Sequence, residues 1–184
     1  YRWPVFALDA TPAQDFFAII DEEGKVRSRT PNVSKFRHVP FDMSDVERGE
    51  RYCEIIKATG RSRANNMAAF FRATFDVWKD FNRSGRETIH VGYSPIITVD
   101  AAQILTDMPN AHVLHVVRNP WSAYADTKKR PVPLPLDKYA YQWTVNQYHA
   151  LLVKEQFPTR LHIVRTEDVM RDSVVALKPV CEAL

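Results

Sequence analysis

The spacing of apolar residues after position 86 predicts strands and helices in alternation. Short buried strands are predicted at 87–91, 112–117 and 160–164, and 112–117 is an apolar run of the kind that a buried parallel strand makes. Between and after them, apolar residues recur three or four positions apart, as on one face of an amphipathic helix. The alternation predicts an α/β fold in which a central parallel sheet is flanked by helices.

Turn and cap residues give the boundaries of these predicted elements. Thr98 is expected to cap a helix over 99–108, and Asp137 to cap a long helix that ends near Gln156. A last amphipathic helix is expected from about Ser173. Since parallel strands point the same way, the strand ends near residues 94 and 118 are expected at one sheet edge, where ligands bind in open sheets.

The chain before residue 87 predicts mostly helices. A strand at 3–9 and a helix at 11–20 are followed by the polar segment 21–32, which we expect to form a turn or a hairpin-like loop. Ser44 and Glu47 have the spacing of a capping box, which predicts the start of a helix that runs through Lys57.

A second helix is expected over 62–81, with one wide apolar face. The residues of that face recur at three- and four-residue steps: Met67, Phe70, Phe71, Thr74, Phe75, Trp78 and Phe81. Core packing is the favoured interpretation of this stripe, and an aromatic-lined acceptor pocket is the alternative.

Composition and charge narrow the classes of function. The 184 residues are 45% hydrophobic and 26% charged, which is ordinary for a globular protein and fits one domain over 1–184. The net charge of +3 is too small to indicate nucleic acid and is compatible with an anionic small ligand.

Cysteine and histidine usage predicts neither a disulfide framework nor a metal centre. Cys53 and Cys181 lie far apart, and no His or Cys pair has the spacing that zinc requires. This usage favours a reducing compartment, and we expect a cytoplasmic protein.

No apolar run approaches membrane-spanning length, so no membrane association is expected.

The segment 111–130 contains the main candidate for chemistry. Arg118 follows the apolar run of a predicted strand, and Pro120 suits the first turn of the helix that comes next. A helix N-terminus at a sheet edge presents unpaired backbone N–H groups, and a guanidinium beside them favours phosphate. The alternative is that Arg118 only pairs with a carboxylate.

From residue 91 to residue 184 the chain resembles the sulfotransferases that use 3′-phosphoadenosine 5′-phosphosulfate (PAPS). Four features match in order: Tyr93-Ser94-Pro95 after a strand, VLHVVRNP at 113–120, the helix that contains Trp143, and a strand, turn and closing helix over 161–184. The resemblance implies a three-layer, P-loop NTPase-like fold. It also implies transfer of a sulfuryl group from PAPS to a hydroxyl or amine of a small-molecule or glycan acceptor.

The resemblance also implies roles for individual residues. Arg118 would bind the 3′-phosphate of the cofactor, and Asp126 stands where the family usually has a second ligand, a serine. Because an aspartate repels phosphate, Ser122 and Thr127 are the expected hydroxyl donors. Lys128 or Arg130 would supply a positive electrostatic field. The candidate base for the acceptor is His38, which lies in the basic, irregular segment 34–42, expected to be a connector or a lid.

The chain also departs from the family pattern. The loop that binds the 5′-phosphosulfate, of the type Pro-Lys/Arg-Ser-Gly-Thr-Thr, is not found in the sequence, and Tyr93 and Thr166 replace the usual Lys and Tyr. We therefore expect a fragment of a longer sulfotransferase domain. The alternatives are a nucleotide-binding module that has lost catalysis and a nucleotide kinase-like enzyme.

Overall fold

The computed structural model describes residues 11–29, 42–81, 84–86, 89–93, 97–129 and 133–184, with side chains for all of them except 21–29 and 97. The chain forms two compact units, residues 1–94 and residues 95–184. Each unit is described by itself below. His38 and Arg130, and the strand predicted at 3–9, lie outside the described residues.

The first unit contains three described helices, α1 (Pro12–Arg29), α2 (Asp45–Thr59) and α3 (Arg63–Val77). The cap predicted for α2 is confirmed, because the Ser44 hydroxyl accepts from the backbone N–H of Glu47 at 3.3 Å. Ser62 caps α3 in the same way at 3.0 Å. Gly60, at a φ of 78°, ends α2 in the left-handed region that glycine adopts without strain.

The core of the first unit lies where these helices meet. Its buried members include Phe16, Tyr52, Ile56 and Phe70. Core packing is thereby confirmed for Met67 and Phe70 of the predicted stripe, which are 5% and 4% exposed.

Two predictions for this unit are wrong. The polar segment 21–32 was expected to be a turn, but α1 continues through it to Arg29. Glu, Lys and Arg favour helices without apolar periodicity, and one Gly costs a helix only about 1 kcal/mol, so the pattern did not indicate this extension. The strand predicted at 87–91 is absent from its described part: residues 89–93 form no strand, and Val91 is 88% exposed.

The second unit contains α4 (Ile97–Asp107), β1 (Val113–Val117), α5 (Pro120–Thr127), α6 (Leu136–Gln156), β2 (Leu161–Arg165), α7 (Thr166–Arg171) and α8 (Ser173–Ala183). Strands β1 and β2 pair in parallel, from Val113 opposite Leu161 to Val117 opposite Arg165. The two predicted strands near 112–117 and 160–164 are therefore present and parallel. The parallel connection expected from a strand at 87–91 is not, and the described residues contain no strand end near 94 to share a sheet edge with that near 118. The described residues are mostly helical, with this two-stranded parallel sheet.

Helices α4 and α6 cover the face of the sheet that presents Val113 and Leu161. These two residues pack with Ala101, Leu105 and Val153 in the core of the second unit.

None of the described helices combines the length and the apolar character needed to cross a bilayer.

The caps of α4 and α6 differ from the prediction. Thr98 lies inside the first turn of α4, and its hydroxyl donates to Asn146 Oδ1 at 3.2 Å. Asp137 lies in the first turn of α6, which begins one residue earlier, after Pro135. Both side chains still suit their places, since a helix N-terminus favours an acidic first turn and a buried hydroxyl requires a partner.

Candidate functional site

The candidate site lies at the carboxyl edge of the two-stranded sheet. As predicted, Arg118 directly follows β1 and α5 begins at Pro120. The backbone carbonyl of Arg118 accepts from the indole N–H of Trp143 on α6 at 3.3 Å. The strand and α6 together therefore fix the backbone from which the guanidinium extends.

Arg118 is paired with a carboxylate. Its Nη1 donates to Oδ2 of Asp126, the residue eight positions later near the end of α5. The side chains of Arg118 and Asp126 are 43% and 44% exposed, so the pair lies in contact with water. Lys129 also donates to Asp126, at 3.0 Å. This hydrogen bond, followed by that of Arg118, lowers the pKa of Asp126 below its ordinary value.

The N-terminus of α5 is also partly occupied. Oδ1 of Asn119 accepts from the backbone N–H groups of Trp121 at 3.0 Å and of Ser122 at 3.3 Å, as an N-cap does. The backbone N–H of Asn119 itself donates to Oε1 of Glu167 at 2.7 Å. This hydrogen bond is the main reason that the pKa of Glu167 lies below its ordinary value. A carboxylate therefore lies where the sequence predicts an incoming anion.

The two predicted hydroxyl donors differ in their surroundings. Ser122 is exposed in the first turn of α5, where its side chain is accessible to a ligand. Thr127 is 3% exposed, and its hydroxyl donates to the carbonyl of Tyr124 at 2.7 Å. Because the proton of Thr127 is used within its own helix, Ser122 is the better placed hydroxyl donor.

The local charge is positive despite the two carboxylates. Lys128 and Lys129 directly follow α5, and Lys128 Nζ lies 4.8 Å from the centroid of the Tyr124 ring. Arg118 and Lys129 both donate to Asp126, so two cations share this carboxylate.

Three of the four histidines of the second unit have a hydrogen-bonding group close to a ring nitrogen. Nε2 of His115 lies 2.8 Å from Oε1 of Gln147, and Nδ1 of His112 lies 3.0 Å from Nε2 of His162. Burial, and then the neighbouring His112 and Lys154, lower the pKa of His162. Across the described ranges, no three His, Cys, Asp or Glu side chains cluster closely enough to hold a metal ion.

Glu167 lies in the turn predicted after the second strand of the pair, and no role at the site was predicted for it. Its role at Asn119 follows from the parallel pairing of β1 and β2, which brings the residues after each strand to the same edge. The available sequence signal was the acidic residue two positions after the second strand of the pair.

No family model, curated protein or solved structure matches this chain. The fold and the site therefore define a class only: a mixed α/β unit with a cation-rich edge next to a helix N-terminus.

Proposed function

We propose that the chain is part of a PAPS-dependent sulfotransferase and that Arg118 binds the 3′-phosphate of the cofactor. The observation that carries the proposal is the exposed Arg118 guanidinium after the end of β1, whose partner Asp126 also accepts from Lys129. A guanidinium forms bidentate, charge-assisted hydrogen bonds to phosphate. The resemblance of residues 91–184 to the family supports this assignment.

The proposal includes the finer fold. We propose that β1 and β2 belong to a larger central parallel sheet, flanked by helices in three layers. Parallel sheets are normally covered on both faces, yet Leu114 and Val116 of β1 are 40% and 56% exposed. Additional strands or helices beside β1 would remove this apolar surface from water.

In the proposed reaction, the acceptor oxygen or nitrogen forms a bond to the cofactor sulfur. The bond from that sulfur to the 5′-phosphate oxygen breaks, which releases adenosine 3′,5′-bisphosphate, and the acceptor proton passes to a base. Catalysis of this kind depends on positioning and on neutralising charge in the transferred group. His38 stays a prediction for the base.

Calorimetric titration with adenosine 3′,5′-bisphosphate tests the role of Arg118. Arg118→Ala should weaken binding by about 2 kcal/mol, the loss expected for charge-assisted hydrogen bonds. Adenosine 5′-monophosphate lacks the 3′-phosphate, so its affinity should change little in the same variant. The matched control is Arg171→Ala, which removes another exposed Arg–Asp pair, at 3.4 Å on α7.

The proposal fails if Arg118→Ala leaves the affinity for the bisphosphate unchanged, or if it weakens the binding of both nucleotides equally. Asp126→Ser provides the converse test. It removes the carboxylate that competes for Arg118 and supplies a hydroxyl, so bisphosphate binding should become tighter than in the parent chain.

A second candidate function is a nucleotide-binding module without catalysis. The observation that favours it is the pair of carboxylates, Asp126 and Glu167, on the guanidinium and on the start of α5. Incubation with PAPS and a mixture of phenol, alcohol and amine acceptors distinguishes the two. Release of adenosine 3′,5′-bisphosphate above the Arg118→Ala background supports the transferase, whereas binding without release supports the module.

A further inference from the structure

A groove lined by aromatic rings lies between α5 and α6, next to the start of α5. Its volume is about 200 Å³. Trp121 and Tyr124 of α5 form one wall, and Leu136, Tyr139 and Trp143 of α6 contribute to the other. An apolar cavity of about 150 Å³ can bind benzene, so this groove has room for a single six-membered ring.

The rings of the groove are held in place by their neighbours. Tyr124 and Tyr139 contact each other across the two helices, with ring centroids 5.3 Å apart and planes tilted by 43°. Trp143 is anchored by its hydrogen bond to the carbonyl of Arg118. Trp121, in contrast, is 69% exposed. A ligand ring in the groove would cover this indole with little rearrangement of its neighbours.

The polar groups of the groove are few. The indole N–H of Trp143 already donates to Arg118. The hydroxyl-bearing residues of the lining are Tyr124, Tyr139 and Thr144, and the rest is mostly apolar carbon. A sugar ring carries several hydroxyls and a nucleobase has a polar edge, and each of these groups loses water on burial unless it finds a partner. A carbocyclic aromatic ring has no such requirement and gains stacking contacts with the surrounding rings.

We infer that the groove between α5 and α6 is a binding site for a single flat carbocyclic aromatic ring. The site is separate from the contacts of the Arg118 guanidinium and does not depend on sulfuryl transfer. It selects for flatness, because offset stacking on Trp121 requires a planar face. It favours an apolar ring over a sugar, because most of the lining offers carbon rather than hydrogen-bonding groups.

Saturation-transfer NMR on the complete chain tests this inference with benzyl alcohol as the probe. Cyclohexylmethanol is the matched ligand, since it has the same substituent on a six-membered ring that is not flat. Benzyl alcohol should show a saturable signal and bind more tightly than cyclohexylmethanol, glucose or adenosine. Trp121→Ala should weaken the binding of benzyl alcohol about tenfold, which corresponds to about 1.4 kcal/mol. Trp121→Phe should retain most of the affinity.

The control variant is Tyr141→Ala. Tyr141 is also on α6, is 72% exposed and does not line the groove, so its removal should leave the affinity for benzyl alcohol unchanged. Far-UV circular dichroism identifies any variant that has lost its fold. The inference is overturned by equal binding of benzyl alcohol and cyclohexylmethanol, by full affinity in folded Trp121→Ala, or by glucose or adenosine binding more tightly at a Trp121-dependent site.

Discussion

Two arginine–aspartate pairs in this protein have the same chemistry and opposite surroundings. In the first unit, Asp15 is 2% exposed and accepts from Arg61 Nε at 2.8 Å and from Asn66 Nδ2 at 3.0 Å. In the second unit, Arg118 and Asp126 are each more than two-fifths exposed. A buried charge that loses its partner stays desolvated, whereas an exposed one exchanges its partner for water at little cost.

This difference indicates what each pair can do. The Asp15–Arg61 pair joins α1 to the segment just before α3, so it contributes to the structure of the first unit. The Arg118–Asp126 pair can open without unfolding the second unit, and the guanidinium is then available to an anion. Burial, more than residue type, separates a structural pair from a candidate binding pair.

The largest expected effect is on the buried pair. Asp15→Ala leaves Arg61 and the buried Asn66 without their shared acceptor, and it should lower the free energy of unfolding by about 3 kcal/mol. Urea denaturation followed by circular dichroism measures this loss, and hydrogen exchange should locate it in α1–α3. Asp126→Ala is the matched control, and its unfolding midpoint should equal that of the parent chain. Equal midpoints for Asp15→Ala and the parent would contradict the comparison.

A smaller effect is expected at the helix caps, one in each unit. Ser62→Ala and Asn119→Ala each remove the acceptor for backbone N–H groups in a first helical turn, which costs about 1 kcal/mol. The two losses should be similar, because both caps act on their own helices. Ser62→Asp and Asn119→Asp keep a capping oxygen and should retain most of the stability in the same urea titrations. A loss at only one of the two sites would show that one cap acts mainly through tertiary contacts.

The smallest expected effect is a pH dependence in the second unit. The pKa of His162 is lowered in the folded state, so the unfolded chain binds the proton more readily. The free energy of unfolding is therefore at its full value above the ordinary histidine pKa of about 6.5. It decreases as the pH falls through the lowered pKa that His162 has in the folded state.

The pH dependence also sharpens the comparison of the two pairs. Because the pKa of Asp126 is lowered too, its pair with Arg118 persists while His162 titrates. Urea midpoints at pH 7.5 and pH 5.5 measure the effect, and His162→Gln should reduce the difference between them. An unchanged difference in that variant would assign the pH dependence to another group.

Local sequence features predicted much of the fold because they act over a few residues. Ser44 was identified as a cap from its spacing to Glu47, and Pro120 as a helix start from its missing N–H. The apolar runs that became β1 and β2 were located to within one residue at each end. The segment 87–91 was also predicted to form a strand, but its sequence, ETIHV, is less apolar than that of β1, and its described part forms no strand.

The candidate site could be predicted only in part for a related reason. Arg118 was identified from its position after an apolar run, but the aromatic residues of α6 were predicted as part of a long helix, without a groove against α5. The bond from Asn119 to Glu167 joins residues 48 positions apart, and the bond from Arg61 to Asp15 joins residues 46 apart. Neither partner was identifiable from spacing.

The sequence by itself determined where most helices begin, which residues form the cores, and that a cation would follow a strand at a helix start. Those features depend on backbone hydrogen bonds and side-chain periodicity within a few turns of chain. The tertiary structure decided which carboxylates meet the cations and which aromatic rings form a groove. Such contacts depend on the parallel pairing of distant strands and on how the helices between them pack.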